Sequence, residues 1–412
     1  MSSKILIQLP AAPIARSSAA PTPAASSDVS SPAASSDLAG VYKSIEDQVV
    51  QIRELQPKRP VDPTILDGRG LQKVVADGFD KDNPAELIGA NQLIYQALGM
   101  LPKTASLKDL YLKMLGSQVL GLYSPDDKKL YVVSRSGAVG PLERTTFAHE
   151  FTHALQDQNF DLGSLKLDEI GQGDRSFGRL SLVEGDATLS MTDWELKHLT
   201  PADLTELLRQ STEDPSTAQL QSMPAILRES LLFPYTQGLA FVEGLQLSGG
   251  WQAVDAAFAK PPASTEQILH PEKYKSGEQP TAVSLPADLA TKLGAGWSVP
   301  LVDTFGEFQL GVWLRQSPGI AKAAADAAAA GWGGDRIAAL RGPKGAWAVV
   351  LRTAWDTEKD ASEFEAAAAP LVHGLADSAQ LLPGAGGTER WVLVASDDAA
   401  LSRVAGVLGL AG

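Results

Sequence analysis

Apolar residues recur along this chain with two different periods, and the change of period divides it. Leu38, Val41, Tyr42, Ile45, Val49 and Ile52 fall at helical spacing, and Pro57 and Pro60 end the run. Leu87, Ile88, Leu93, Ile94 and Leu98 predict a second helix from Pro84 to about Leu98. Ser106 stands as an N-cap ahead of Leu107, Leu110 and Leu115. Residues 37–117 therefore read as a helical lead-in. The period then drops to two. Gln118–Ser124, the turn Pro125–Lys129 and Leu130–Ser134 predict a β-hairpin.

Helical patterning returns from about Leu142 to Gln158 and from about Arg179 to Leu199. It covers most of 201–260, with breaks at Pro224 and Pro234. Residues 276–300 are rich in Gly, Pro and Ser and predict a loop, and Thr304-Phe-Gly-Glu307 has capping-box spacing for a helix through Leu314. The last 80 or so residues alternate again. Arg336–Arg341 and Ala346–Trp355 predict strands around a Gly342–Gly345 turn, Thr357 caps a helix to about Leu375, Trp391–Ala395 is a strand, and Asp397 starts a final helix. The expected class is α+β, with a mainly helical domain over 37–330 and a small α/β domain over 331–412.

The bulk composition narrows the function. At 44% hydrophobic and 20% charged residues, the chain can bury a core. A net charge of −14 repels phosphate backbones and anionic lipids, so nucleic acid and membrane surfaces are not expected partners. No apolar run approaches the roughly 20 residues of a membrane span. Residues 1–36 end in a Ser/Ala/Pro tract that predicts a disordered tail behind a weak export signal. An extracytoplasmic location is the expectation, with a bland tail on a cytoplasmic protein as the alternative. The pattern says nothing of oligomeric state.

Cysteine is absent, so any metal must be held by His and carboxylate. Two of the five histidines, His149 and His153, stand four residues apart in His149-Glu150-Phe151-Thr152-His153. On a helix they lie about 40° and about 6 Å apart, so both imidazoles can meet one Zn²⁺. Glu150 projects about 100° around the helix, beside the water such a metal activates, where a carboxylate serves as general base. The bland alternative is a surface helix with two polar histidines. Phe147, Ala148, Phe151, Ala154 and Leu155 argue against it by making the rest of the helix apolar.

A catalytic zinc usually takes a third protein ligand. Glu184 shares a helical stripe with Leu180, Ala187 and Met191, where a carboxylate is costly unless a cation meets it. Gly185 beside it predicts close approach to the histidine helix. The alternative for Glu184 is an ion pair with Arg144 or Arg175. The tryptophans of the C-terminal unit, Trp332, Trp347, Trp355 and Trp391, read as its core and not as a carbohydrate platform.

The segment HEFTHALQD, residues 149–157, followed by a glutamate on a downstream helix, resembles the gluzincin clan of metallopeptidases, to which thermolysin belongs. The resemblance covers residues 85–200, and the layout is similar to a minigluzincin-type core. It implies a zincin-like fold, one Zn²⁺ on His149, His153 and Glu184, and hydrolysis of a peptide or protein substrate with Glu150 as base. It also implies that the hairpin strand ending in Leu130–Ser134 is an edge strand for extended substrate. The family's Asn before the ligand Glu and Asp four residues after it are replaced here by Val183 and Thr188. Asp157, one turn beyond His153, is then the residue expected to orient an imidazole, its alternative being a solvated helix-end carboxylate. An oxyanion donor would be a His or Tyr beyond the third ligand: His270 first, Tyr235 second, Tyr274 third. Two rivals stand beside the peptidase. One is a zinc-binding envelope or scaffolding module without turnover; the other is a zinc hydrolase of non-peptide amides or esters.

Overall fold

A computed structural model describes residues 6–7, 38–118, 120–133 and 139–410. Of the tail expected over 1–36, residues 1–5 and 8–36 lie outside them, as do Val119 and Ser134 of the hairpin, while Leu6–Ile7 form a strand where disorder is expected. The protein is a mixed α+β structure with two sheets. Among the described residues, no helix is long and apolar enough to cross a membrane.

The first helix, Leu38–Arg53, buries Tyr42, Ile45, Val49 and Ile52, the stripe that its periodicity marks. Helices Ala85–Ala97 and Leu107–Gln118 follow Pro84 and Ser106. Between them and the first helix lies an additional helix, Gly68–Asp82, which the apolar pattern does not single out. Its stripe is sparse, Leu71, Val75 and Phe79, and two glycines open it. Asp67 supplies the missing start signal by accepting from the Gly70 amide at 2.7 Å.

The smaller sheet has the order β1-β3-β4-β2, from Leu6–Ile7 (β1), Pro63–Leu66 (β2), Gly121–Ser124 (β3) and Lys129–Val133 (β4). The hairpin pairs β3 with β4 antiparallel, as its alternation predicts. Its second strand is not an edge, however. β2 pairs with β4 in parallel, and β1 pairs with the outer side of β3, Leu6 opposite Tyr123 and Ile7 opposite Leu122. The expectation of a free substrate-binding edge on β4 is therefore corrected: the four-residue β2, opened by a proline, covers it.

One long helix packs against this sheet, and a second packs against the first. The histidine helix spans Pro141–Phe160 and the glutamate helix spans Gly173–His198. Pro234 does not break the following helical region as expected. It opens a π-helical turn, Pro234–Gly238, that joins helix Ala225–Phe233 to helix Leu239–Ala259. A widened turn relieves the clash of a proline ring with the preceding carbonyls.

The larger sheet is antiparallel throughout, in the order β5-β6-β7-β9-β8: Ser298–Asp303 (β5), Trp332–Arg341 (β6), Trp347–Trp355 (β7), Ser378–Pro383 (β8) and Glu389–Ala395 (β9). Strand alternation sorts its side chains into two cores. Ala338, Leu340, Ala348, Val350 and Leu393 face Leu401 and Val404 of the final helix, Asp398–Leu408. Ile337, Ala339, Val349, Leu351 and Val394 face helix Glu358–Gly374 and merge with the core of the helical region. The sheet thus begins at Ser298, at the end of the segment read as loop and ahead of the domain edge expected at 330/331, and shares one face with the rest of the molecule. Thr304 is not an N-cap. The following helix, Gly306–Leu314, is capped from β6, where Asp335 accepts from the Phe305 and Gly306 amides at 2.7 Å each.

Candidate metal centre

The histidine helix buries one continuous run from Thr145 to Gln158 because the sheet, the first helix and the glutamate helix surround it. His149, Glu150 and His153 are 0% exposed and Glu184 is 2% exposed. The His149 and His153 rings meet edge to face with centroids 4.7 Å apart. Their Nε2 atoms lie 3.1 Å from each other, and each lies 3.3 Å from Glu184 Oε2. Neither arginine weighed as a partner for Glu184 reaches it. Arg144 pairs with Asp203 and Arg175 with Glu169, both at 2.5 Å.

Three ligand atoms at these separations fit one ion. Tetrahedral zinc with bonds of about 2.0–2.1 Å holds its ligand atoms about 3.3 Å apart. The electrostatics point the same way. Burial pushes His149 down to about 4. Burial acts likewise on His153, but the Glu184 carboxylate overrides it and lifts that ring to about 9. Burial alone would raise Glu184; the two imidazoles outweigh it and hold the carboxylate at about 2. The carboxylate thus favours one positive charge in the buried cluster, on His153 and not on His149.

Glu150 lies beside this cluster, and its charge is felt by both His153 and Tyr235. Strand β3 passes close to it: a Cβ on Gly121 would come within 3.3 Å of Glu150 Cγ and 2.6 Å of Thr146 Cγ2.

Of the three proposed oxyanion donors, the structure brings Tyr235 to the cluster. Its ring lies 6.2 Å from that of His149, centroid to centroid, and its hydroxyl hydrogen-bonds Glu184. Burial first, then the charges of Glu184 and Glu150, push its pKa well above the usual phenol value. His270, ranked first from sequence, is elsewhere. Its Nε2 lies 2.8 Å from Glu307 in a separate cavity of about 520 Å³, and that hydrogen bond raises its pKa. His270 is the N-cap position of the short helix Pro271–Ser276. Tyr274 is also elsewhere and donates to the Lys260 carbonyl at 2.9 Å. His198 and His373 are exposed.

Close backbone contact explains the choice of Tyr235. A Cβ on Gly185 would sit 2.3 Å from the Gly238 carbonyl, and one on Gly238 would sit 2.2 Å from the Ser181 carbonyl. Gly185 therefore admits the π-helical turn and not, as expected, the histidine helix.

Asp157 orients neither imidazole. It accepts from Tyr123 at 2.7 Å, Arg59 at 3.1 Å and Lys128 at 2.8 Å, tying the end of the histidine helix to the hairpin. Those three donors draw its carboxylate away from His153. The residue that does meet His153 is Gln156, whose Oε1 lies 2.8 Å from Nδ1. Sequence reasoning passed over it; its signal is an amide at i+3 from His153, on the polar stripe His149, Thr152, His153 and Asn159 of a buried helix. The Gln156 amide nitrogen donates to the Val183 carbonyl and to Asp186 Oδ2, each at 2.9 Å. Asp186, two residues after Glu184, is thus tied to the site.

A second acidic group, Glu266, Glu278 and Asp356, already holds a cation at its centre: Lys273 Nζ stands 2.6, 2.8 and 2.6 Å from the three.

The fold and site together define a mixed α+β protein with a buried cluster of two histidines and a glutamate. Residues 298–406 match a family model described as Domain of unknown function (DUF8575). That match covers the larger sheet and none of the metal-centre residues. Neither a curated protein nor a solved structure matches the chain.

Proposed function

We propose that this protein is a zinc-dependent metallopeptidase with a zincin-like core, acting on a peptide or protein substrate. The observation that carries the reading is the triangle of His149 Nε2, His153 Nε2 and Glu184 Oε2, with sides of 3.1–3.3 Å, next to the buried Glu150. The gluzincin resemblance of residues 149–157 supports the same chemistry.

His149, His153 and Glu184 hold the ion. Zinc, when bound, polarises a water and the scissile carbonyl. Glu150 takes the proton of the attacking water and returns it to the leaving amine, so one carboxylate serves both halves of the reaction. Tyr235 hydrogen-bonds Glu184 in the resting site and would donate to the oxyanion that develops on the carbonyl; its raised pKa keeps it a donor.

One observation favours the second reading, a zinc-binding module without turnover. The four central residues are at most 2% exposed, and the outer edge of β3 is taken by Leu6–Ile7. Metal analysis combined with a chelator-sensitive cleavage assay on a mixed peptide pool separates the two. Glu150→Gln is expected to keep zinc and to lose at least about 10³-fold in cleavage rate, with general-base catalysis and water activation lost together. Full cleavage by that variant sinks the mechanism. Zinc without any cleavage by the unaltered protein leaves the binding module standing.

A further inference from the structure

We infer that Gln156 is a positioning residue for the metal: it fixes His153 in the tautomer whose Nε2 is free to bind, and Asp186 and Arg53 hold Gln156 in that orientation. The inference rests on the metal-site reading of His149, His153 and Glu184 and does not need the peptidase activity.

A neutral imidazole carries its proton on one nitrogen and offers a lone pair at the other, so whatever faces the second nitrogen selects the ligand atom. Here that neighbour is an amide, which could point either end at the ring. Its other contacts decide. The Gln156 nitrogen has two hydrogens and faces two groups that can only accept, the Val183 carbonyl and Asp186 Oδ2, each at 2.9 Å. Turning the amide over would set its oxygen against both of them and its N–H₂ against His153. The oxygen therefore faces Nδ1 at 2.8 Å, and Nδ1 must carry the proton.

Asp186 is itself anchored. Its other oxygen accepts from Arg53 Nε at 2.6 Å, and Arg53 also donates to Asp255 at 2.7 Å and stacks on Trp251 at 4.5 Å. Arg53, Asp186, Gln156 and His153 are all fully buried. Val183 immediately precedes Glu184, so Gln156 also ties one ligand to the backbone that carries another. A ligand histidine commonly donates directly to a carboxylate. Here a neutral amide stands between, and the negative charge sits one link further away, balanced by Arg53.

The test uses the full chain and zinc alone as probe. Competition with a chromogenic chelator measures affinity for the unaltered protein and for Gln156→Met, which keeps the side-chain length and removes the acceptor. Loss of such a partner is expected to weaken zinc binding about 10- to 100-fold. Nitrogen-15 NMR of the zinc-loaded, unaltered protein reads the tautomer directly, and needs no variant to fold. The expected result is a His153 proton on Nδ1. A His153 proton on Nε2, or zinc binding by a folded Gln156→Met within about twofold of the original, overturns the inference while leaving the metal site intact. Failure of the unaltered protein to bind zinc overturns both together.

Discussion

One helix, Gly173–His198, carries buried carboxylates into two regions that treat them in opposite ways. At its start lies the junction with the larger sheet. There Asp174 accepts from the Thr265 hydroxyl at 2.5 Å and from the Thr265 amide, and Asp303 accepts from the Gly173 amide at 2.7 Å. Asp335 joins them by accepting from two amides and from Trp332 Nε1 at 2.8 Å. Burial pushes Asp174 well above the usual carboxylate range, and Asp335 up to about 6. Dipoles supply the hydrogen bonds to these oxygens; of the three acids Asp303 also feels the charge of Arg336. Halfway along the helix, Glu184 meets two imidazoles and is driven down to about 2. Burial alone does not mark a metal ligand, since both regions bury acids equally well. The distinguishing feature is the partner: amide and hydroxyl donors build a cap, whereas Lewis bases converging on one point build a coordination site.

The largest expected effect breaks the centre and spares the junction. Gly238→Ala forces a Cβ to within 2.2 Å of the Ser181 carbonyl, so the π-helical turn must lift off the glutamate helix. We expect a loss of about 3 kcal/mol in urea unfolding, the upper end for an overpacked contact because backbone meets backbone. Because Tyr235 rides on that turn, the contact of its hydroxyl with Glu184 should go as well. A variant as stable as the original would show that the turn does not press on the helix as described.

The junction should announce itself by its pH dependence. Asp335 has a folded-state pKa of about 6 against an unfolded value of 3.8, so the native protein binds the extra proton between those limits. Its contribution to stability is complete below pH 3.8 and is lost as pH rises through 6. The full shift corresponds to about 2–3 kcal/mol. Urea unfolding of the unaltered protein and Asp335→Asn across this interval reads the group together with its charge coupling to Asp174 and Asp303. The stability of the unaltered protein relative to the variant should fall as pH rises. A flat difference refutes the assignment.

The same contrast explains what the sequence could reveal. His149, His153 and Glu184 were legible because each combines a chemical type with a helical period: the i,i+4 pair, and a lone acid on the Leu180, Ala187, Met191 stripe. The strand pairs of the larger sheet and the caps Thr357 and Asp397 were legible for the same local reason. Tyr235 and His270 could not be ranked from their segments, because the choice depends on a contact between Gly185 and Gly238, 53 residues apart by their numbering. Gln156 was hidden by Asp157, which has the more familiar chemistry at an equally good spacing and spends its oxygens on the hairpin. β2, β5 and β8 escaped because strands of four to six residues at sheet edges carry too few alternations to stand out.

The smallest effect tests whether the larger sheet's surface is energetically separate from the metal centre. Thr357 accepts from the Asp360 amide at 3.2 Å, and Asp360 accepts in return from the Thr357 amide at 3.0 Å. This capping box sits at the exposed start of helix Glu358–Gly374, whose opposite face packs into the core shared with the helical region. Removing the hydroxyl in Thr357→Ala leaves one helix-start amide to water, so a loss of about 1 kcal/mol is expected. No buried charge changes partner, and zinc content should remain that of the original protein. If zinc content fell with so local a change, the shared core would have to transmit it. The centre and the sheet would then be one cooperative unit, and the separation drawn between a charge-demanding centre and a dipole-satisfied remainder would fail.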